Sequence, residues 1–245
     1  MRRIGPLIVV ALFSAFIWIT AADLHTASRV WLIVLVAVLP PTAIAQARLF
    51  ETVDLPPRSA LYAQTGFSLW ALLALTIITA HLSGIGTLEL GVVRLRLELL
   101  LAWTGALTVA GVGLMLAAHR LGVRESRTLA TLLPRTARER LGFLGLSITA
   151  GICEEVVFRG FLIFALARVI DSATVAALIA AAIFGLVHAY QGFAGSVRAA
   201  LLGALLSLPV LISGSILPAI IAHAAIDVIG GFWVGPRLIR DDDRA

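Results

Sequence analysis

Eight apolar runs separated by short polar or basic stretches set the pattern of the chain. They are Leu7–Ala22, Val30–Ala47, Ala60–Ala80, Leu99–Ala118, Leu141–Ile170, Ser172–Tyr190, Val197–Ile212 and Ile216–Trp233. A membrane-crossing helix needs about 20 predominantly apolar residues. The pattern therefore predicts an all-α polytopic membrane protein with about eight transmembrane helices, joined by short connections except at 83–97 and 119–140. Pro40 and Pro41 lack backbone donors, so the second helix is expected to kink and its neighbours to satisfy the freed carbonyls. The Leu141–Ile170 run is 30 residues long, about 45 Å as a straight helix against a hydrocarbon core of about 30 Å. Its first turns are expected to extend a basic, amphipathic interfacial segment at Arg120–Arg140, which puts Glu154 in the cytosolic half of the bilayer.

Composition agrees with the pattern. Of 245 residues, 60% are hydrophobic and 13% charged, far from the roughly 25% charged of soluble domains. That excludes an ordinary soluble domain and a disordered chain. The single cysteine, Cys153, excludes an internal disulfide and a cysteine-built zinc site. Nineteen basic residues against 14 acidic give a net charge of +5, and all 19 are arginine. The absence of lysine, with abundant Ala, Gly, Leu and Val, suggests a GC-rich bacterial coding sequence. The arginines lie between apolar runs without interleaved aromatics, which marks topology and argues against nucleic acid as a partner.

With a cytoplasmic N-terminus, the inside stretches hold 14 arginines and the outside ones only Arg29, Arg94, Arg96 and Arg168. The positive-inside rule then places both termini in the cytosol of a multi-pass cell (inner) membrane protein. The stretch Ile19-Thr20-Ala21-Ala22 also fits a leader-peptide cleavage site, and cleavage there would leave the other seven helices oriented as before. The organisation expected is an N-terminal four-helix membrane region over 1–119, a second membrane core over 120–240 and an acidic tail over 241–245.

Three acids fall inside apolar runs: Glu154, Glu155 and Asp227. They share those runs with Arg159, His188 and His223. Three carboxylates and a guanidinium oppose insertion by about 10 kcal/mol before pairing, so such groups are candidates for function by default. Glu155 and Arg159 stand four apart, the favourable order for an ion pair on one helical face. Glu154 points about 100° away and stays available as a general base. His188 follows Phe184 by four residues, and Asp227 follows His223 by four. If the three helices share a cavity, Glu154, His188, His223 and Asp227 converge. That set suits a zinc ion with an open water position. It equally suits a metal-free site in which Glu154 and His188 activate water while His223 donates to an oxyanion. Taken singly, Glu155–Arg159 also reads as a structural ion pair, His188 as an interfacial residue, and His223–Asp227 as a helix-pairing bond. His25, His81 and His119 sit at span ends and read as interfacial, and the five tryptophans as anchors or packing.

The motifs Glu154-Glu155-x-x-x-Arg159, Phe184-x-x-x-His188 and His223-x-x-x-Asp227, in this order and each within an apolar run, resemble the CPBP family. These are the CAAX prenyl endopeptidases and bacteriocin-processing, abortive-infection-like proteins. The resemblance covers about the C-terminal half and implies an eight-helix intramembrane endopeptidase acting near the cytosolic membrane surface on a membrane-associated peptide or (lipo)protein. It also implies roles: Glu154 activates water with His188, Glu155 and Arg159 orient the first motif, and His223 with the residue four later stabilises the oxyanion. The family has been described both as metalloproteases and as glutamate-based enzymes without metal, so zinc or another divalent ion at Glu154, His188, His223 and Asp227 remains open. Many members carry Asn where this chain has Asp227, and an ionised carboxylate cannot donate to an oxyanion. The alternatives are a non-catalytic immunity or scaffold protein of the same fold, or an ion-coupled transporter. Against the transporter, only Pro40-Pro41 breaks a helix, and the intramembrane ionisable groups are confined to the second half.

Overall fold

The computed structural model describes residues 4–50, 52–123 and 126–237, the side chains of residues 4–7 and 127 excepted. Arg2, Arg3, Arg124, Arg240 and Arg244 of the topology count, and the tail at 241–245, lie outside the described residues. Among the described residues the fold is all helical. The helices are α1 (Ile4–Thr20), α2 (Thr26–Phe50), α3 (Arg58–Leu82), α4 (Leu97–Arg120), α5 (Arg127–Leu132), α6 (Ala137–Ile170), α7 (Ala173–Val187), α8 (Gly192–Ser213) and α9 (Leu217–Arg237). By length and composition α2, α3, α4, α6, α8 and α9 can each cross a membrane, and α1 and α7 are shorter apolar helices. These eight coincide with the eight apolar runs. The protein is a multi-pass membrane protein.

Two helices pass through irregular turns. In α2, Val34–Val38 is π-helical and the Leu39 N–H bonds back to the Val34 carbonyl. The widened turn lies directly before Pro40 and Pro41, and the helix continues to Phe50. The proline pair is thus accommodated within the helix's own backbone. In α6 the π-helical segment is Glu155–Leu162, and every residue in it is buried. This segment packs with Leu35 of α2 and Phe184 of α7 into the main core.

The start of α6 departs from expectation. The short helix α5 ends at Leu132, and α6 begins separately at Ala137. Pro134 disfavours helix at the residue before it. Thr136 then opens the new helix with a capping box: its hydroxyl accepts from Glu139 N–H (3.2 Å) and the Glu139 carboxylate accepts from Thr136 N–H (3.0 Å). Nor does α5 give its apolar face to lipid alone. Leu129, Leu132 and Leu133 line an internal cavity. Two tethers hold the segment there: Tyr62 Oη donates to the Leu132 carbonyl (2.6 Å), and Ser126 Oγ to the Tyr190 carbonyl (3.4 Å).

Small residues bring the site-bearing helices together. A Cβ on Gly151 of α6 would stand 2.7 Å from the Ile220 carbonyl oxygen of α9. One on Gly185 of α7 would stand 2.6 Å from the Ser196 carbonyl oxygen of α8. Such backbone approach is how helices associate where lipid supplies no hydrophobic drive. At the other end of the bundle, the loop before α4 is bonded to the start of α9. Ile216 N–H donates to the Gly91 carbonyl (2.9 Å) and Ser215 Oγ to the Val93 carbonyl (2.7 Å).

Because the Gly151 contact is with backbone, Gly151→Ala should cost about 1–3 kcal/mol and lower the thermal unfolding midpoint in detergent. Gly145→Ala, on the same helix with nothing within 4 Å of the added Cβ, should leave the midpoint where it was.

Candidate active site

Glu154 and Glu155 are neighbours in α6 and point to different places. Glu155 is fully buried and turned into the protein. There Oε1 accepts from Arg159 Nη1 (2.8 Å), as the four-residue spacing predicts. The same oxygen lies 2.7 Å from His223 Nδ1 on α9. Since this carboxylate already accepts from the guanidinium, the imidazole donates through Nδ1. Arg159 reaches further: Nη2 donates to the Gly203 carbonyl of α8 (3.3 Å), and the guanidinium lies 4.4 Å from the centre of the Phe184 ring. Glu155 and Arg159 are thus paired within the first motif and also reach the third through His223.

Glu154 faces the cavity. Its Oε2 is buried without a hydrogen-bond partner among the described residues and stands 3.9 Å from His188 Nε2 and 3.8 Å from His223 Nε2. His188 closes α7, and its Nδ1 lies 2.7 Å from the Phe184 carbonyl. A carbonyl only accepts, so Nδ1 carries the hydrogen and Nε2 is turned to Glu154. Both imidazoles are thus held by Nδ1 with Nε2 directed at one carboxylate oxygen. Asp227 Oδ2 is 3.8 Å from His223 Nε2, on the cavity side of the ring. Glu155 holds His223 through Nδ1, while Asp227 faces its other nitrogen.

All six residues singled out in the sequence come together. Of the residues that surround them, the motifs named only Phe184. The Phe184 ring is the hub: it meets the rings of Phe158 (5.2 Å between centres), His188 (4.4 Å) and His223 (6.0 Å) as well as Arg159. Tyr190, two residues past His188, places its ring 5.8 Å from that imidazole. A phenylalanine one helical turn before a histidine is a faint signal for the first, and nothing in the spacing points to the second.

The cavity has a volume of about 630 Å³, within the usual range for ligand sites. Its walls are mainly aliphatic and aromatic side chains of α2–α9, and Glu154, His188, His223 and Asp227 supply much of its polarity. A tetrahedral zinc with bonds of about 2.1 Å needs donors about 3.4 Å apart. Here the separations are 3.8–3.9 Å. No group of three or more His, Cys, Asp or Glu among the described residues is arranged to hold a metal ion. As placed, these three separations are wider than the tetrahedral spacing.

Residues 136–229 match the family described as type II CAAX prenyl endopeptidase Rce1-like, and that stretch of the chain is similar to it. The matched stretch runs from the cap of α6 to Ile229 and contains every site residue named above. No curated protein and no solved structure matches the chain significantly.

Removing one partner of a buried ion pair costs about 3–5 kcal/mol, because the other charge is stranded. Glu155→Ala should therefore lower the unfolding midpoint sharply in detergent. Glu154→Gln, which breaks no hydrogen bond among the described residues, should unfold like the parent protein.

Proposed function

We propose that this protein is an intramembrane endopeptidase that hydrolyses a peptide bond of a membrane-associated peptide or (lipo)protein near the cytosolic membrane surface. The observation that carries the reading is the buried, unpartnered Glu154 Oε2 with two imidazole Nε2 atoms directed at it. The Rce1-like match supports the reaction class. The excess of arginine on one side of the helices supports a cytosolic site and cytosolic termini.

A water held between Glu154 Oε2 and His188 Nε2 can donate one hydrogen to each. Acceptors bonded at about 2.8 Å to the two hydrogens of one water lie about 4.4 Å apart, close to the 3.9 Å found. Glu154 takes a proton as the water oxygen bonds to the substrate carbonyl carbon, and the carbonyl π pair moves to oxygen. His223, with both ring nitrogens protonated and Nδ1 held by Glu155, donates through Nε2 to that oxyanion. Collapse re-forms the carbonyl and breaks the C–N bond, and Glu154 returns its proton to the leaving amine. Arg159 acts through Glu155 and is a positioning residue. The mechanism routes no step through a metal, the separations as placed being wider than the tetrahedral spacing. The apolar walls favour a substrate segment that partitions into the membrane.

The test is cleavage in proteoliposomes, with peptide and lipopeptide libraries and mass spectrometry of new termini. Glu154→Gln should lower the rate at least about 100-fold, and His223→Ala should do likewise. Product patterns unchanged by Glu154→Gln would defeat the reading and favour a non-catalytic role. Exhaustive dialysis against a chelator should leave the wild-type rate intact, with substoichiometric metal in the purified protein; loss of activity restored by zinc would overturn the metal-free route.

A further inference from the structure

In the route proposed above, His223 is the one residue assigned to donate to the oxyanion. Peptide hydrolases commonly present two hydrogen bonds to the developing charge, and Asp227 occupies a position from which an ionised carboxylate only accepts. The other hydroxyls of the cavity wall with assigned acceptors are committed to backbone. Tyr62 donates to the Leu132 carbonyl, Ser68 to the Gln64 carbonyl and Ser147 to the Phe143 carbonyl.

Tyr190 differs from these. It lines the same cavity. Its hydroxyl oxygen accepts from Gln191 Nε2 (3.2 Å), which leaves its own hydrogen to give. Its ring lies over His188, with 5.8 Å between centres and a 36° tilt. The backbone is fixed as well: Tyr190 belongs to the 3-10 turn Ala189–Gln191 that follows His188 directly, and its carbonyl accepts from Ser126 Oγ.

We propose that Tyr190 is a catalytic residue whose phenolic O–H donates the second hydrogen bond to the tetrahedral oxyanion, opposite His223. The inference rests on the peptidase reading above. No proton is transferred from the phenol. As the carbonyl π pair moves to oxygen the O–H bond shortens its contact with it, and when the carbonyl re-forms the contact relaxes. Gln191 acts through Tyr190 by holding the hydroxyl from its acceptor side.

Kinetics on a peptide that Glu154-dependent cleavage has identified decide the matter. Tyr190→Phe should lower kcat roughly 100-fold and leave KM and the binding of an uncleavable ground-state peptide unchanged. A phosphinic peptide of the same sequence, which carries the tetrahedral anion, should lose affinity by a similar factor. Adding Asp227→Asn to Tyr190→Phe supplies an amide donor and should recover part of the lost kcat. Wild-type kcat in Tyr190→Phe overturns the proposal. So does a loss of kcat that runs in step with lost folding or lost ground-state binding, because that marks a structural role. Absence of Glu154-dependent cleavage in the wild-type protein would instead remove the peptidase reading itself, and this assignment with it.

Discussion

The site depends on one carboxylate oxygen. Glu155 Oε1 accepts from a guanidinium on its own helix and from an imidazole on another, both at hydrogen-bond distance and both out of reach of water. A buried carboxylate would be intolerable alone, and so would the guanidinium beside it. Together, with Arg159 also bonded to the Gly203 carbonyl and laid on the Phe184 ring, the charges are matched and most polar atoms have partners. The result is a polar knot joining α6, α8 and α9 in an otherwise apolar interior. Glu154, one residue earlier, is left to face the cavity.

That knot would be of no use if the helices stood at ordinary separation. Arg159 and Glu155 are short of reach unless α9 lies against α6 and α8 against α7. Gly151 and Gly185 permit those approaches, with the neighbouring backbone oxygens where a methyl group would sit. The alanines of α7, buried at Ala176, Ala177, Ala180 and Ala181, extend the same close packing along its length. Packing distance and electrostatics are therefore two aspects of one arrangement, and the imidazole directions follow from both.

Hydropathy made the helices legible, since a bilayer dictates the length and polarity of whatever crosses it. Pairings within a helix were equally legible: the Glu155–Arg159 bond follows from a four-residue step, and the divergence of Glu154 from Glu155 follows from 100° of rotation. Contacts between helices were not. Whether Glu155 or Asp227 would hold His223 depends on the height of α9 against α6, which no spacing along one chain encodes. The same limit hid Tyr190, whose place beside His188 is set by a short turn and a bond from Ser126 across 64 residues. The π-helical turns were invisible for another reason: Pro40-Pro41 announces a disturbance in α2 without its form, and nothing in Glu155–Leu162 announces one at all.

The bond between Glu155 and His223 joins residues 68 positions apart, and it has a bearing on how the protein is made. Helices enter the membrane in order of synthesis, so α6 is in place with its paired glutamates well before α9 emerges. Until α9 is present the Glu155 carboxylate has no His223 to meet, and the cavity lacks the side chains that α9 supplies. The chemistry proposed for this site cannot begin until α9 has been inserted and docked against Gly151.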